Sequence, residues 1–479
     1  MRDQRQTMLA TEKIGKLLWK LSVPAAVGAA VMALYNVVDT IFIGQVVGPL
    51  GIAGLTIVFP IQMLTMGMGM MIGIGGASLI SRALGAGDID KAERTLGNAI
   101  SYSVIIGVLI TIVGLSNSSF WLRLVGASET ILPYAKDYLD IILMGATFMM
   151  GGMGVSQLIR AEGNARVAMM CMVIAFALNI ALDAAFVIAL DMGTRGAALA
   201  TVLAQGFTSL YVIHYYRFQN STLKIHIKNF VPDLKVTREM MAIGFGSFIM
   251  TAGGSLVSII VNRTLITYGG DLAVASFGMV HRTMTFTALP VMSIGQGLQP
   301  ILGFSYGARR SDRALEAIKK AIIAATLFSI IAFLIIFFFP TPIMRIFTQD
   351  EALISASSHA ARVMFFVIYL IGFHMVASTV FQALGKVIPT FLTTISRQIL
   401  FLLPLLFVFP RFWQLDGVWY SFPVADALSF LLTLFLFIPQ VKKIKSIDTL
   451  PASEGLAFVP GRLDEGQAEK IPGRIESSD

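Results

Sequence analysis

The chain has 479 residues, of which 56% are hydrophobic and only 13% charged, with a mean hydropathy of +0.77. Soluble domains carry about 25% charged residues, so this composition excludes a soluble globular protein and specifies a polytopic membrane protein. The net charge of +8 points to basic loops at one membrane face rather than to nucleic acid, and the single cysteine, Cys171, excludes an internal disulfide framework.

The first dozen residues are polar and mixed in charge, with no cleavable signal pattern. Beyond them, apolar runs of about 20 residues predict twelve membrane helices. Six fall near 17–43, 52–79, 95–115, 137–157, 167–190 and 196–216. Six more fall near 241–268, 272–303, 321–340, 356–382, 388–409 and 414–440. Lys and Arg near the helix ends divide 24 to 5 between the two faces, the five being Arg123, Lys136, Arg195, Arg345 and Arg411. The positive-inside rule then places both termini in the cytoplasm; the expected location is the prokaryotic plasma membrane, as a multi-pass protein. Past Lys445 the chain is polar without apolar periodicity, which predicts a disordered tail over 446–479.

The longest polar connection follows helix six. It divides the chain into a first lobe over 1–216, a linker over 217–240 and a second lobe over 241–445. Laying 73–100 on 295–322, an offset of 222, aligns eight identities in 28 positions, among them Gly75/Gly297, Gly85/Gly307 and Asp90/Asp312. About two would be expected by chance, and the same offset pairs Gly48/Gly270 and Gly163/Gly385. Six helices is an even number, so the halves run in the same sense as parallel repeats. Internal pseudo-symmetry of this kind is typical of transporters.

Asp39, in the first helix, is the charge a spanning run does not need. At the centre of such a helix an Asp costs about 2.5–3.5 kcal/mol, so its presence marks a functional site facing protein or water. Asn179 and Asp183 stand four residues apart on one face of helix five, and Thr201 enters helix six from the same membrane face. All lie within roughly 12 Å of the outer surface at 1.5 Å per residue. Two acids with amide and hydroxyl neighbours at one depth form a candidate proton-binding cluster; the alternative is that each caps or hydrogen-bonds its own helix.

The second half carries Arg263, Arg282 and Arg397 against one embedded acid, Asp426. Arg397 and Asp426 share a depth and are expected to form a structural ion pair. Met63 and Met66 belong to a methionine series that either lines an adaptable pocket or faces lipid. Tyr35, Asn36 and Gln205 join them as candidate cavity residues. His281, His359 and His374 lack metal-ligand spacing, and no phosphate-binding loop or catalytic constellation occurs, so neither a metal nor any other cofactor is expected.

These residues resemble the multidrug and toxic compound extrusion (MATE) family, closest to its MepA- and DinF-like branches. The resemblance rests on Val38-Asp39-Thr40 with Phe42-Ile43-Gly44, on 75–93, on 179–205 and on Ala383-Leu384-Gly385-Lys386. It implies an all-α fold of twelve helices in two pseudo-symmetric six-helix lobes forming a V. It also implies export of cationic, amphipathic compounds in exchange for H⁺ or Na⁺, by a monomer in the lipid bilayer. Asp39, Asn179, Asp183 and Thr201 match the ion-coupling positions of one branch. The second-lobe acids of another branch have no counterpart in helices seven and ten. A flippase for lipid-linked oligosaccharide or other anionic lipid-like cargo is the alternative, and arginines gathered at the cavity wall would favour it.

Overall fold

The computed structural model describes residues 2–219 and 221–446, without the side chains of 2–4, 35–37, 39–41, 45, 49 and 255. The expected tail beyond Ser446 lies outside the described residues. Among those described there is no strand. The first half comprises α1 (Arg2–Thr11), α2 (Ile14–Val46), α3 (Pro49–Gly85), α4 (Ile89–Ser116), α5 (Ser118–Val125), α6 (Leu132–Met144), α7 (Ala146–Ala161), α8 (Ala165–Asp183) and α9 (Gly193–Phe218). The second comprises α10 (Leu234–Gly307), α11 (Ser311–Phe338), α12 (Pro340–Arg345), α13 (Glu351–Met364), α14 (Tyr369–Ala383), α15 (Val387–Ile395), α16 (Leu403–Val408) and α17 (Pro410–Lys445).

Nine of these stretches are long and apolar enough to cross a membrane, and two pairs, α6/α7 bent by 58° and α13/α14 bent by 55°, add one span each. Helix α10 runs 74 residues, about 110 Å if straight, far beyond a bilayer core of about 30 Å. It is broken at Gly270, whose φ of 63° and ψ of −162° only glycine adopts without strain. That break divides α10 into two spans and brings the total to the expected twelve.

The halves repeat one another in their irregularities. Gly48, φ 80° and ψ −163°, turns the chain between α2 and α3 as Gly270 turns α10. A short helix follows the third span in each half, α5 and α12, and the fourth span is bent in both. The fifth span of each half carries a π-helical stretch, Ala184–Ala189 and Ser396–Leu402. Lipid-facing residues also keep the offset of 222: Ile105, Leu109 and Ile112 on α4 are exposed, as are Leu327, Ile331 and Leu334 on α11. Each trio follows one helical stripe.

Three buried clusters show how the halves join. The largest draws on both halves and contains Leu17, Leu84, Leu158, Tyr215, Ile243, Phe304, Ala321 and Phe381. All of these lie toward the end of the molecule at which most Lys and Arg gather, the basic end. The other two clusters each lie within one half toward the opposite end, around Ile43, Val58 and Tyr138 in the first and Leu265, Phe365 and Trp419 in the second. Shared core at one end and separate cores at the other are the geometry of a V.

Glycine permits the shared end to close. A Cβ at Gly85 would collide with the Phe304 carbonyl, and one at Gly307 with the Arg82 carbonyl. Moving each member of the first pair by 222 into the other half, 85 to 307 and 304 to 82, gives the second pair with the partners exchanged. A Cβ at Gly303 would fall on Ser81, its own repeat equivalent. Helix α3 therefore crosses the second arm of α10 on the pseudo-two-fold axis. Salt bridges from Glu239 to Arg82 at 2.8 Å and to Lys91 at 3.6 Å add to the seam.

Each half also straps onto the other at the basic end. The polar N-terminus, unexpectedly, forms helix α1. The Arg313 guanidinium donates to the carbonyls of Leu9 and Glu12, both at 2.9 Å, and Arg310 donates to that of Ala10 at 2.9 Å. These are carbonyls that the end of a short helix leaves unsatisfied. The connection before α10 lies in the same way along α4: Ser101 donates to the Phe230 carbonyl at 2.8 Å, and Asn98 accepts from the Asp233 amide at 2.7 Å.

Candidate functional site

The first-half cluster is assembled by three mutually packed helices. Helix α2 lies against α8, its π-helical extension and α9, and α8 lies against α9. Close approach is visible at Gly28, where a Cβ would meet the Met172 sulfur. Asn179 and Asp183 on α8 are fully buried, as is Thr201 on α9 at 3% exposure. Neither polar atom of the Asn179 amide has a hydrogen-bond partner among the described residues. Asp183 is the last residue before the π-helical stretch, a geometry often found at functional positions. Asp39 lies on α2, but its side chain, with those of Tyr35 and Asn36, lies outside the described residues.

A cavity of about 430 Å³ lies elsewhere, between the seam and the second half. Met70, Ile74 and Gln157 line it from the first half; the second half supplies the remainder, from α10, α11, α14, α15, α17 and the π-helical stretch after α15. Its wall is methionine, threonine and serine with glutamines, including Met250, Met284, Met292, Thr394, Gln296 and Gln398. A volume of that size suits a drug-sized molecule, and a wall that mixes apolar side chains with many hydroxyl and amide groups suits an amphipathic one.

Its full charges are Arg397 and Asp426. Arg397 Nε donates to Asp426 Oδ1 at 2.5 Å. Arg397 stands inside the π-helical stretch, which turns its side chain toward α17. Met63, Met66 and Gln205 are half-buried and do not line this cavity; Met66 packs on the first-half core, and Gln205 Oε1 lies against Gly152. Arg263 and Arg282 are exposed and line no part of it.

Sequence reasoning did not find the second-half cavity. Its signal was present as polar residues at helical spacing within apolar spans: Gln296 with Gln299, Ser378 with Gln382, and Thr394 with Gln398. Each polar group alone reads as ordinary helix packing, and only the fold brings the three helices to one wall.

A family model described as MatE matches residues 24–185 and 243–408, one segment in each half. The chain belongs to the MATE family. Among curated MATE relatives, the multidrug export protein MepA of Staphylococcus haemolyticus (strain JCSC1435) is 26% identical over 436 residues, 91% of this chain and 96% of that one. MepA of Staphylococcus aureus (strain MRSA252) is 24% identical over 95% of this chain and all of its own. A crystal structure of MATE in the bent conformation superposes with a TM-score of 0.88 at 25% identity, covering 93% of this chain and 99% of that one. The fold, two lobes in a V, is that of a MATE transporter, and the chain is a transmembrane multidrug-efflux transporter by family.

Proposed function

We propose that this MATE transporter exports cationic or amphipathic organic compounds in exchange for H⁺ or Na⁺. Asp39, Asp183, Asn179 and Thr201 form the coupling site, and both termini are cytoplasmic. What carries the reading is the complete burial of Asn179, Asp183 and Thr201 on helices packed against the one bearing Asp39. A carboxylate among amide and hydroxyl groups can hold a proton or coordinate Na⁺. Binding either ion changes the charge of the first lobe by one unit, which weakens its hold on a cation and biases the choice between two arrangements of the lobes. The seam on the pseudo-two-fold axis closes the basic end and parts as the opposite end closes, so that access alternates between the two faces.

The alternative of an anionic, lipid-like cargo asked for arginines gathered at the cavity wall. Arg263 and Arg282 stand away from the cavity and Arg397 is neutralised by Asp426, which favours drug export.

Dye efflux from inverted vesicles, energised in turn by a pH gradient and by a Na⁺ gradient, tests transport and coupling together. One of the two gradients is expected to drive efflux in the unaltered protein. Asp39→Asn and Asp183→Asn, inserted at parental levels, are each expected to abolish gradient-driven efflux. Full activity in both variants would overturn the assignment of the coupling site.

A further inference from the structure

Arg160, near the end of α7, is a buried charge with no part in the sites described so far. It is 5% exposed, and among the described residues its one hydrogen bond runs from Nε to Gln157 Oε1 at 3.2 Å. Gln157, one turn earlier, lines the cavity at 7% exposure. Its Nε2 donates onward to Met70 Sδ at 3.6 Å, and Met70 belongs to the same wall. A Cβ at Gly73 would meet the Gly154 carbonyl and Gln157 Cγ, so α3 and α7 close tightly on the Gln157 stem. The stem is held, and only the sense of the amide is left to be decided.

The two ends of an amide have nearly the same shape and opposite chemistry, an acceptor oxygen against a donor NH2. A guanidinium nitrogen only donates, so the end that faces Arg160 is the oxygen. Arg160 thereby turns Nε2 toward Met70 and the cavity wall. That nitrogen carries two hydrogens and a thioether is a weak acceptor, which leaves a donor for cargo. The repeat indicates that the fold does not itself require the charge. At the offset of 222, Met70, Ile74 and Gln157 correspond to Met292, Gln296 and Thr379, which line the same cavity. Arg160 corresponds to Gln382, a neutral residue that also lines it. Burying a cation without a counter-charge is costly, so helix packing alone does not account for Arg160.

We infer that Arg160, which lines no part of the cavity, is a positioning residue for transport: it holds the Gln157 amide so that the first-half wall offers a hydrogen-bond donor to an acceptor atom on the cargo. This deepens the proposed export by naming what sets the polarity of one wall, and it rests on the cavity being a cargo site.

The test compares two cationic dyes in inverted vesicles: rhodamine 6G, which carries an ester carbonyl, and ethidium, which has amines and no oxygen. Gln157→Met and Arg160→Gln are each expected to raise the KM for rhodamine 6G about fivefold, the worth of one neutral hydrogen bond. The maximal rate and the KM for ethidium should not move. Because Arg160 acts through Gln157, the double variant should match Gln157→Met alone. Arg160→Lys, again a donor only, should restore the parental KM. Gln157→Glu keeps Arg160 bonded but removes the N–H. It should raise the KM for rhodamine 6G and lower that for ethidium, whose amines then meet an acceptor. That variant decides the matter even if the Arg160 variants do not fold. Additive effects in the double variant, equal shifts with both dyes, or an unmoved KM for rhodamine 6G would each overturn the inference. An unaltered protein that exports neither dye would overturn the proposed export on which it rests.

Discussion

At the scale of single residues, Glu162 at the turn after α7 combines burial with charge in the most exacting way outside the membrane spans. It is 1% exposed, and its Oε2 accepts from Ser221 Oγ at 2.8 Å and from the Thr222 amide at 2.9 Å. Burial pushes its carboxyl above the ordinary glutamate value of 4.5, against the opposing pull of the Ser221 hydrogen bond and the Arg5 charge. The folded protein therefore keeps a proton that the unfolded chain releases. The resulting stability is fully present below about pH 4.5 and is lost as pH rises through the higher native value. The melting temperature of the unaltered protein should accordingly fall as pH is raised from about 4.5 toward neutrality, and Glu162→Gln should flatten that dependence. An equal slope in both proteins would assign the pH effect to other groups. Nothing in the sequence distinguished Glu162 from a solvated loop acid, because Ser221 and Thr222 reach it across about 60 residues. Asp183 was legible for the opposite reason: a carboxylate inside an apolar run is conspicuous without any knowledge of its neighbours.

At the scale of elements, run length was enough to find the spans and their order, because a bilayer sets the length of a helix. The expected boundary between 268 and 272 falls on Gly270, where the 74-residue helix breaks. Helix α1 was not legible. Its residues are polar, and the Arg310 and Arg313 contacts that fix its C-terminal carbonyls come from about 300 positions away. Two glycines of α10 separate backbone demands from space. A Cβ at Gly270 or at Gly278 would meet nothing within 4 Å, so sterics favour both substitutions equally. Gly270 has φ +63°, where an L-residue pays about 1–3 kcal/mol, whereas Gly278 sits in regular helix, where alanine gains about 0.5–1 kcal/mol. Gly270→Ala should therefore lower the thermal midpoint in detergent and Gly278→Ala should raise it slightly. A loss of similar size in both would show that the space around α10, rather than its turn, decides.

For the molecule as a whole, the repeat written into the sequence becomes a working axis. Ser81 meets Gly303, Gly85 meets the Phe304 carbonyl and Gly307 meets the Arg82 carbonyl, so one pseudo-two-fold contact holds both lobes at the basic end. A transporter that alternates access must part this contact once per cycle, since the lobes already have separate cores at the other end. Backbone-to-backbone packing at Gly85 and Gly307, with the Ser81 side chain against Gly303, has little slack to flex, so it must part as a unit. Tying the seam should therefore trap the protein with its basic end closed. Lys91 Nζ and Glu239 Oε2 face each other across it at 3.6 Å. In a Cys171→Ala background, Lys91→Cys/Glu239→Cys bridged by a short bis-methanethiosulfonate reagent is expected to lose dye efflux and to regain it with dithiothreitol. Each single cysteine should stay active throughout. Binding of dye added from the opposite face should survive cross-linking, because the lobes remain free to part there. Undiminished efflux by a fully cross-linked protein would mean that the basic end never opens, and alternating access by parting of this seam would have to be abandoned.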